Sequence, residues 1–189
     1  MLTAAIAAPS AQAFHLKYNA DLDELNNSGV NGEAELEFLT GDGDRVNLDA
    51  GEGPEDVTDL QVGINATGLE PNMLHPQHIH GFDDASQNAV TPPPTAAGDD
   101  GVLSVADGAP FYGRVRLPLL TSVPSDSPPS FPTAPGGTLN YSMSFSDQEA
   151  ATASAGPGGV GGLGKNLAST VDGLGDLRPL ENREIFCTD

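Results

Sequence analysis

The chain has 189 residues, with 27 acids against 7 bases and a net charge of −20. A surface of that sign repels phosphate backbones and anionic lipid, which excludes nucleic-acid binding, and no apolar stretch is long enough to span a membrane as a helix. One cysteine, Cys187, excludes an intrachain disulfide, while 23 glycines and 16 prolines point to turns and loops rather than long helices.

Residues 1–13 are small and apolar and end Ala11-Gln12-Ala13, an A-x-A cleavage pattern. They read as the remnant of a secretory signal, which makes the protein secreted, periplasmic or cell-surface. Residues 14–189 then form a single domain. The first strand is expected at residues 14–20, followed by a polar turn region over residues 21–32. Glu33, Glu35 and Glu37 alternate with Ala34, Leu36 and Phe38, the pattern of a half-buried antiparallel strand. A Gly/Asp loop follows over residues 40–54. Its Asp42-Gly43-Asp44 resembles the start of a calcium loop, but Val46 and Gly53 stand where oxygen ligands are needed, so it reads as an acidic turn.

Residues 57–69 give the strongest strand signal, with Leu60, Val62, Ile64 and Ala66 on one face. Glu70-Pro71-Asn72 turns the chain into Leu74-His75-Pro76-Gln77-His78-Ile79-His80-Gly81-Phe82. Two strands joined by so short a turn predict a hairpin. On the second strand His78 and His80 share a face, and Ile79 points the other way into a core. Two imidazoles converging outside the core suit copper or zinc, and His75, bent back at Pro76, is the candidate third ligand. The competing reading is a half-exposed polar face with no metal.

Residues 83–108 form an irregular insert, read as a surface loop, with a wall or lid over the histidines as the alternative. A strand over residues 111–120 puts Val115 and Leu117 on one parity and Arg114 and Arg116 on the other. Residues 122–135 are Pro/Ser-rich and cannot hold a sheet interior. Residues 138–145 alternate again, with Leu139, Tyr141, Met143 and Phe145 facing in. The Gly-rich run 154–165 lacks the Gly-Lys-Ser/Thr ending of a phosphate loop, since Asn166 follows Lys165. A last strand fits residues 183–187. The count is about seven strands and no helix, an all-β, antiparallel Greek-key β-sandwich with long Gly/Pro-rich loops.

Gln77-His78-Ile79-His80-Gly81, following Ala66-Thr67-Gly68-Leu69, resembles the CHRD domain, named after chordin and found in exported proteins. The same pattern is similar to the copper,zinc superoxide dismutases, Greek-key sandwiches in which a His-x-His strand supplies two copper ligands. That resemblance implies copper-ligand positions for His78 and His80. The departures are large: no histidine follows His80, Cys187 has no partner, and Cys187-Thr188-Asp189 stands where the dismutases carry a further histidine. Arg114, Arg116 and Arg183 are the candidates to steer an anionic substrate, with salt bridges to the acidic surface as their other role. The expected function is a secreted CHRD-like module that binds copper or zinc through His78 and His80, with His75. The alternatives are a dismutase-like oxidoreductase and a non-catalytic module with an extracellular protein or surface partner. The question of enzyme activity stays open and leans to no.

Overall fold

The computed structural model describes residues 17–40, 43–46, 51–53, 56–84, 86–122, 131–155 and 173–187. The signal-like residues 1–13, the start of the expected first strand, Asp42 and most of the Gly-rich run lie outside them.

Among the described residues the fold is built from seven strands: β1 (Lys17–Leu22), β2 (Asn31–Thr40), β3 (Val57–Thr67), β4 (Gln77–Gly81), β5 (Arg114–Pro118), β6 (Thr138–Ser146) and β7 (Glu184–Cys187). They form two antiparallel sheets, ordered β1-β2-β3-β6 and β5-β4-β7. The alternation read in β2 and β3 decides which face is buried. Ala34, Leu36 and Phe38, and Leu60, Val62, Ile64 and Ala66, all point into one core. Ile79 of β4 and Leu117 of β5 close that core from the second sheet. Fully burying side chains of this size contributes about 1.5–3 kcal/mol each, so the shared core is what holds the two sheets together.

Two expectations are corrected. β3 and β4 are not a hairpin. β3 pairs with β2 and β6, whereas β4 pairs with β5 and β7 in the other sheet. The turn at residues 70–72 therefore carries the chain across the core. There β4 becomes the middle strand of the second sheet and is buried on both faces. Nor is the chain free of helix: α1 (Val105–Tyr112) and α2 (Asp147–Ala155) are present. Phe111 and Tyr112, expected at the start of a strand, close α1 instead.

Each helix starts at a serine that trades hydrogen bonds with an acid three residues on. At α1, Ser104 Oγ accepts from the Asp107 N–H while Asp107 accepts from the Ser104 N–H. At α2, Ser146 and Glu149 make the same reciprocal pair.

Candidate functional site

β4 is the middle strand of its sheet, and all five of its residues are buried. The period of the strand does what the sequence predicts: Ile79 is fully buried in the core and His78 and His80 project to the opposite face. That face is not open to water. His78 is 9% exposed and His80 is 3% exposed.

Rings cover them. His78 and His80 meet edge-on, with centroids 5.8 Å apart. Phe131 closes over His78 at 5.2 Å. Tyr112, the last residue of α1, lies 4.6 Å from His80, and Phe186 of β7 lies 5.3 Å from it. Tyr112 and Phe186 also touch each other, at 4.3 Å. The register explains Phe186: it stands directly across from His78, so its side chain shares the histidine face. Tyr112 is positioned by its own helix. The Cε1–Cζ edge of its ring fills the space at Gly108 that a Cβ would need, and its hydroxyl donates to the Val105 carbonyl at 2.7 Å. The insert between β4 and β5 thus ends in a helix that walls the histidines, the reading the sequence ranked second.

Burial sets the charge state. It pushes the His78 pKa down to about 4. His80 goes down to about 3, through burial first and the neighbouring His78 second, against an opposing backbone hydrogen bond to Gly113. Both imidazoles are neutral at pH 7. His80 Nδ1 is buried and has no hydrogen-bond partner among the described residues. A buried, lone ring nitrogen is costly to leave unmade.

His75 is placed differently. It is fully buried, and its Nε2 lies 3.0 Å from the Glu70 carbonyl oxygen across the crossing turn. It secures the turn. Among the described residues no three His, Cys, Asp or Glu side chains gather as one metal-holding group, so the structure joins His78 to His80 but does not bring His75 in as a third member. The fourth histidine, His15, lies outside the described residues.

The arginines do structural work. Arg116 is the extra residue in a β-bulge, where Ile79 faces Leu117 and His80 faces Val115. The bulge turns Arg116 inward, against the parity expected from sequence, and its Nη1 donates to Asp83 at 2.6 Å. Arg114 reaches the same carboxylate at 3.5 Å. Arg183 donates to the carbonyls of Phe82, Leu177 and Asp176 at 3.0, 3.0 and 2.9 Å. Its side chain lies over Gly81, where any Cβ would displace it. The glycine of His-Ile-His-Gly is therefore the space through which Arg183 passes.

Sequence reasoning missed the aromatic cover. Phe186 and Tyr112 lay in segments read as strand, and Phe131 in one read as irregular. Phe186 was within reach of a register argument; the other two depend on the path of the insert and of the chain after β5. Comparison with known proteins found no matching family model, no matching curated protein and no matching solved structure.

Two neutral imidazoles side by side can donate two nitrogens to one ion. With bonds of about 2 Å the ring centroids of two such ligands sit roughly 5–6 Å apart, which is compatible with the observed 5.8 Å.

Proposed function

We propose that the protein is a CHRD-like β-sandwich module, acting outside the cytoplasm, that binds a copper or zinc ion through His78 and His80. The observation that carries the reading is the buried pair itself: both rings are neutral, they lie 5.8 Å apart, and His80 Nδ1 has no partner among the described residues. Metal ligation requires the neutral imidazole. An ion bound there would supply a Lewis-acidic centre or, with copper, a one-electron couple. The chain's own part is to hold the rings still: Ile79 anchors the strand below them, and Phe131, Tyr112 and Phe186 fix them above and exclude water. The same reading takes the connections between the sheets as Greek-key, and places the module in a secreted, periplasmic or cell-surface setting because of Ala11-Gln12-Ala13.

The aromatic cover favours a second reading. Histidines packed edge-on against three rings also serve as ordinary core side chains of a metal-free module that meets an extracellular partner. Dialysis against copper and zinc, followed by metal analysis, separates the two. The first reading expects near one metal per chain, lost in a His78→Leu/His80→Phe variant that keeps the buried volume. Equal, negligible retention in both proteins would establish the second. A dismutase-like activity is the enzymatic extension of the first reading, and copper-loaded protein no faster than free copper would end it.

A further inference from the structure

Strands β1 and β7 are each the edge of their sheet, and they lie on the same side of the molecule. The Tyr18 hydroxyl on β1 donates to Glu181, just before β7, at 3.1 Å. Between the two edges lies a cavity of about 460 Å³, within the range of sites that take small molecules. Leu22, Leu25 and Val30 form one wall, and Leu103, Tyr112 and Phe186 the other. These are the same two rings that cover His80.

The cavity is held open by its own hydrogen bonds. Residues 25–28 make a tight turn in which Asn26 and Asn27 both take positive φ, at 58° and 57°, closed by Ser28 N–H donating to the Leu25 carbonyl. That turn presents the Asn26 amide to the opposite loop. Its Nδ2 donates to the Leu103 carbonyl at 3.1 Å and its Oδ1 accepts from the Leu103 N–H at 2.8 Å. The two-way clasp joins the walls.

The polar groups are of one sign. Asp23 and Glu184 line the cavity, and among the described residues no lysine, arginine or histidine does. Glu184 is the deepest set. Thr91 donates to its Oε1 at 2.8 Å, Oε2 accepts nothing from the described residues, and burial raises its pKa. A carboxylate in that position gains from a cation beside it. Tyr112 and Phe186 line the same cavity with their rings 4.3 Å apart, and aromatic rings attract a cation placed over them.

We propose that this cavity binds a small organic cation: a primary or quaternary amine carried on an apolar body. The ammonium sits between Glu184 and the Tyr112–Phe186 pair, and the apolar body fills the space against Leu22, Leu25 and Val30. Glu184 stands directly across from His80 in the β4–β7 register, and the same two rings cover His80, so the site adjoins the histidine pair and the test is run without metal.

The test uses three probes of one shape, 2-phenylethylamine, 2-phenylethanol and phenylacetate, titrated into the full chain in EDTA and 0.3 M NaCl and followed by calorimetry and NMR. The expected result is that the amine binds at least tenfold tighter than the alcohol, phenylacetate does not bind, and the Tyr112 and Phe186 resonances move. Glu184→Gln should bring the amine's affinity to within about threefold of the alcohol's and leave the alcohol's unchanged. Asp23→Asn, on the exposed rim, should cost the amine a further two- to threefold and keeps the test alive if Glu184→Gln does not fold. Equal affinity for amine and alcohol in the unaltered protein, amine binding that vanishes at 0.3 M salt, or no binding by any probe would each overturn the proposal.

Discussion

His78 and His80 make this fold sensitive to acid in a definite direction. Their folded pKa values, about 4 and about 3, lie below the ordinary 6.5 of an unfolded histidine. The unfolded chain therefore binds more protons than the folded one between those values. Stability is fully present above about pH 6.5 and drains away as pH falls toward 4. Each tenfold change in proton affinity is about 1.4 kcal/mol, so the pair should cost the fold on the order of several kcal/mol over that interval. Urea unfolding at pH 7.0 and pH 4.8 measures it, since most exposed carboxylates remain ionised at the lower value. His80→Phe keeps a ring against Tyr112 and Phe186 but cannot titrate, and its midpoint should fall markedly less; a loss equal to the parent's would sink the assignment. Gly81→Ala is a second residue-scale case. The new Cβ forces Arg183 off the carbonyls of Phe82, Leu177 and Asp176, and we expect a loss of about 1–3 kcal/mol in the same assay. An unchanged midpoint would mean Arg183 moves aside freely. The histidine spacing was legible because a strand's period of two needs no tertiary context. The burial of the pair was not, because it depends on rings arriving from residues 112, 131 and 186.

At the scale of elements, what could be read was whatever repeats. β3 announced itself through Leu60, Val62, Ile64 and Ala66, and its described bounds differ from the reading by two residues at one end. The helices were hidden for opposite reasons. α1 holds Gly108 and Pro110 within eight residues, a composition that speaks against helix. α2 is nearly all polar or small and shows no apolar stripe. Yet both begin at a serine with an acid three residues later, Ser104 with Asp107 and Ser146 with Glu149, and that signal was on the page. Because α2 has so little apolar face, its cap should matter. Ser146→Ala removes the acceptor of the Glu149 N–H and the hydroxyl that donates to the Glu149 carboxylate, and thermal unfolding should show a loss of about 1 kcal/mol. No change would show that packing on β5 and β6 alone holds the helix. The hairpin was misread because turn length says nothing about which sheet the next strand joins. β4 joins β5 and β7 instead, and Gln77, His78, Ile79 and His80 are all buried there.

The whole molecule carries its charge unevenly. The outer face of the larger sheet sets Asp21 directly across from Glu33, and Glu35 and Glu37 follow on the same strand. Like charges facing each other across strands oppose folding. Lys17 relieves Glu35 at 2.7 Å and Arg45 relieves Glu37 at 2.7 Å; Glu33 and Asp21 have no such cation among the described residues. With seven bases to 27 acids, little relief is available elsewhere. The repulsion must then be screened by salt. The screening length falls from about 30 Å at 0.01 M to about 3 Å at 1 M, which spans the distance between neighbouring strands and the width of the sheet. Raising NaCl across that range should lift the thermal midpoint by several degrees. Glu33→Gln should capture part of the gain at low salt and almost none at high salt, because it removes one of the facing pair that salt otherwise screens. If the midpoint is flat in salt, or the variant gains equally at both ends, the acidic face is not what limits the stability of the folded chain. The core shared by Leu60, Ile64, Ile79 and Leu117 would then be the place to look.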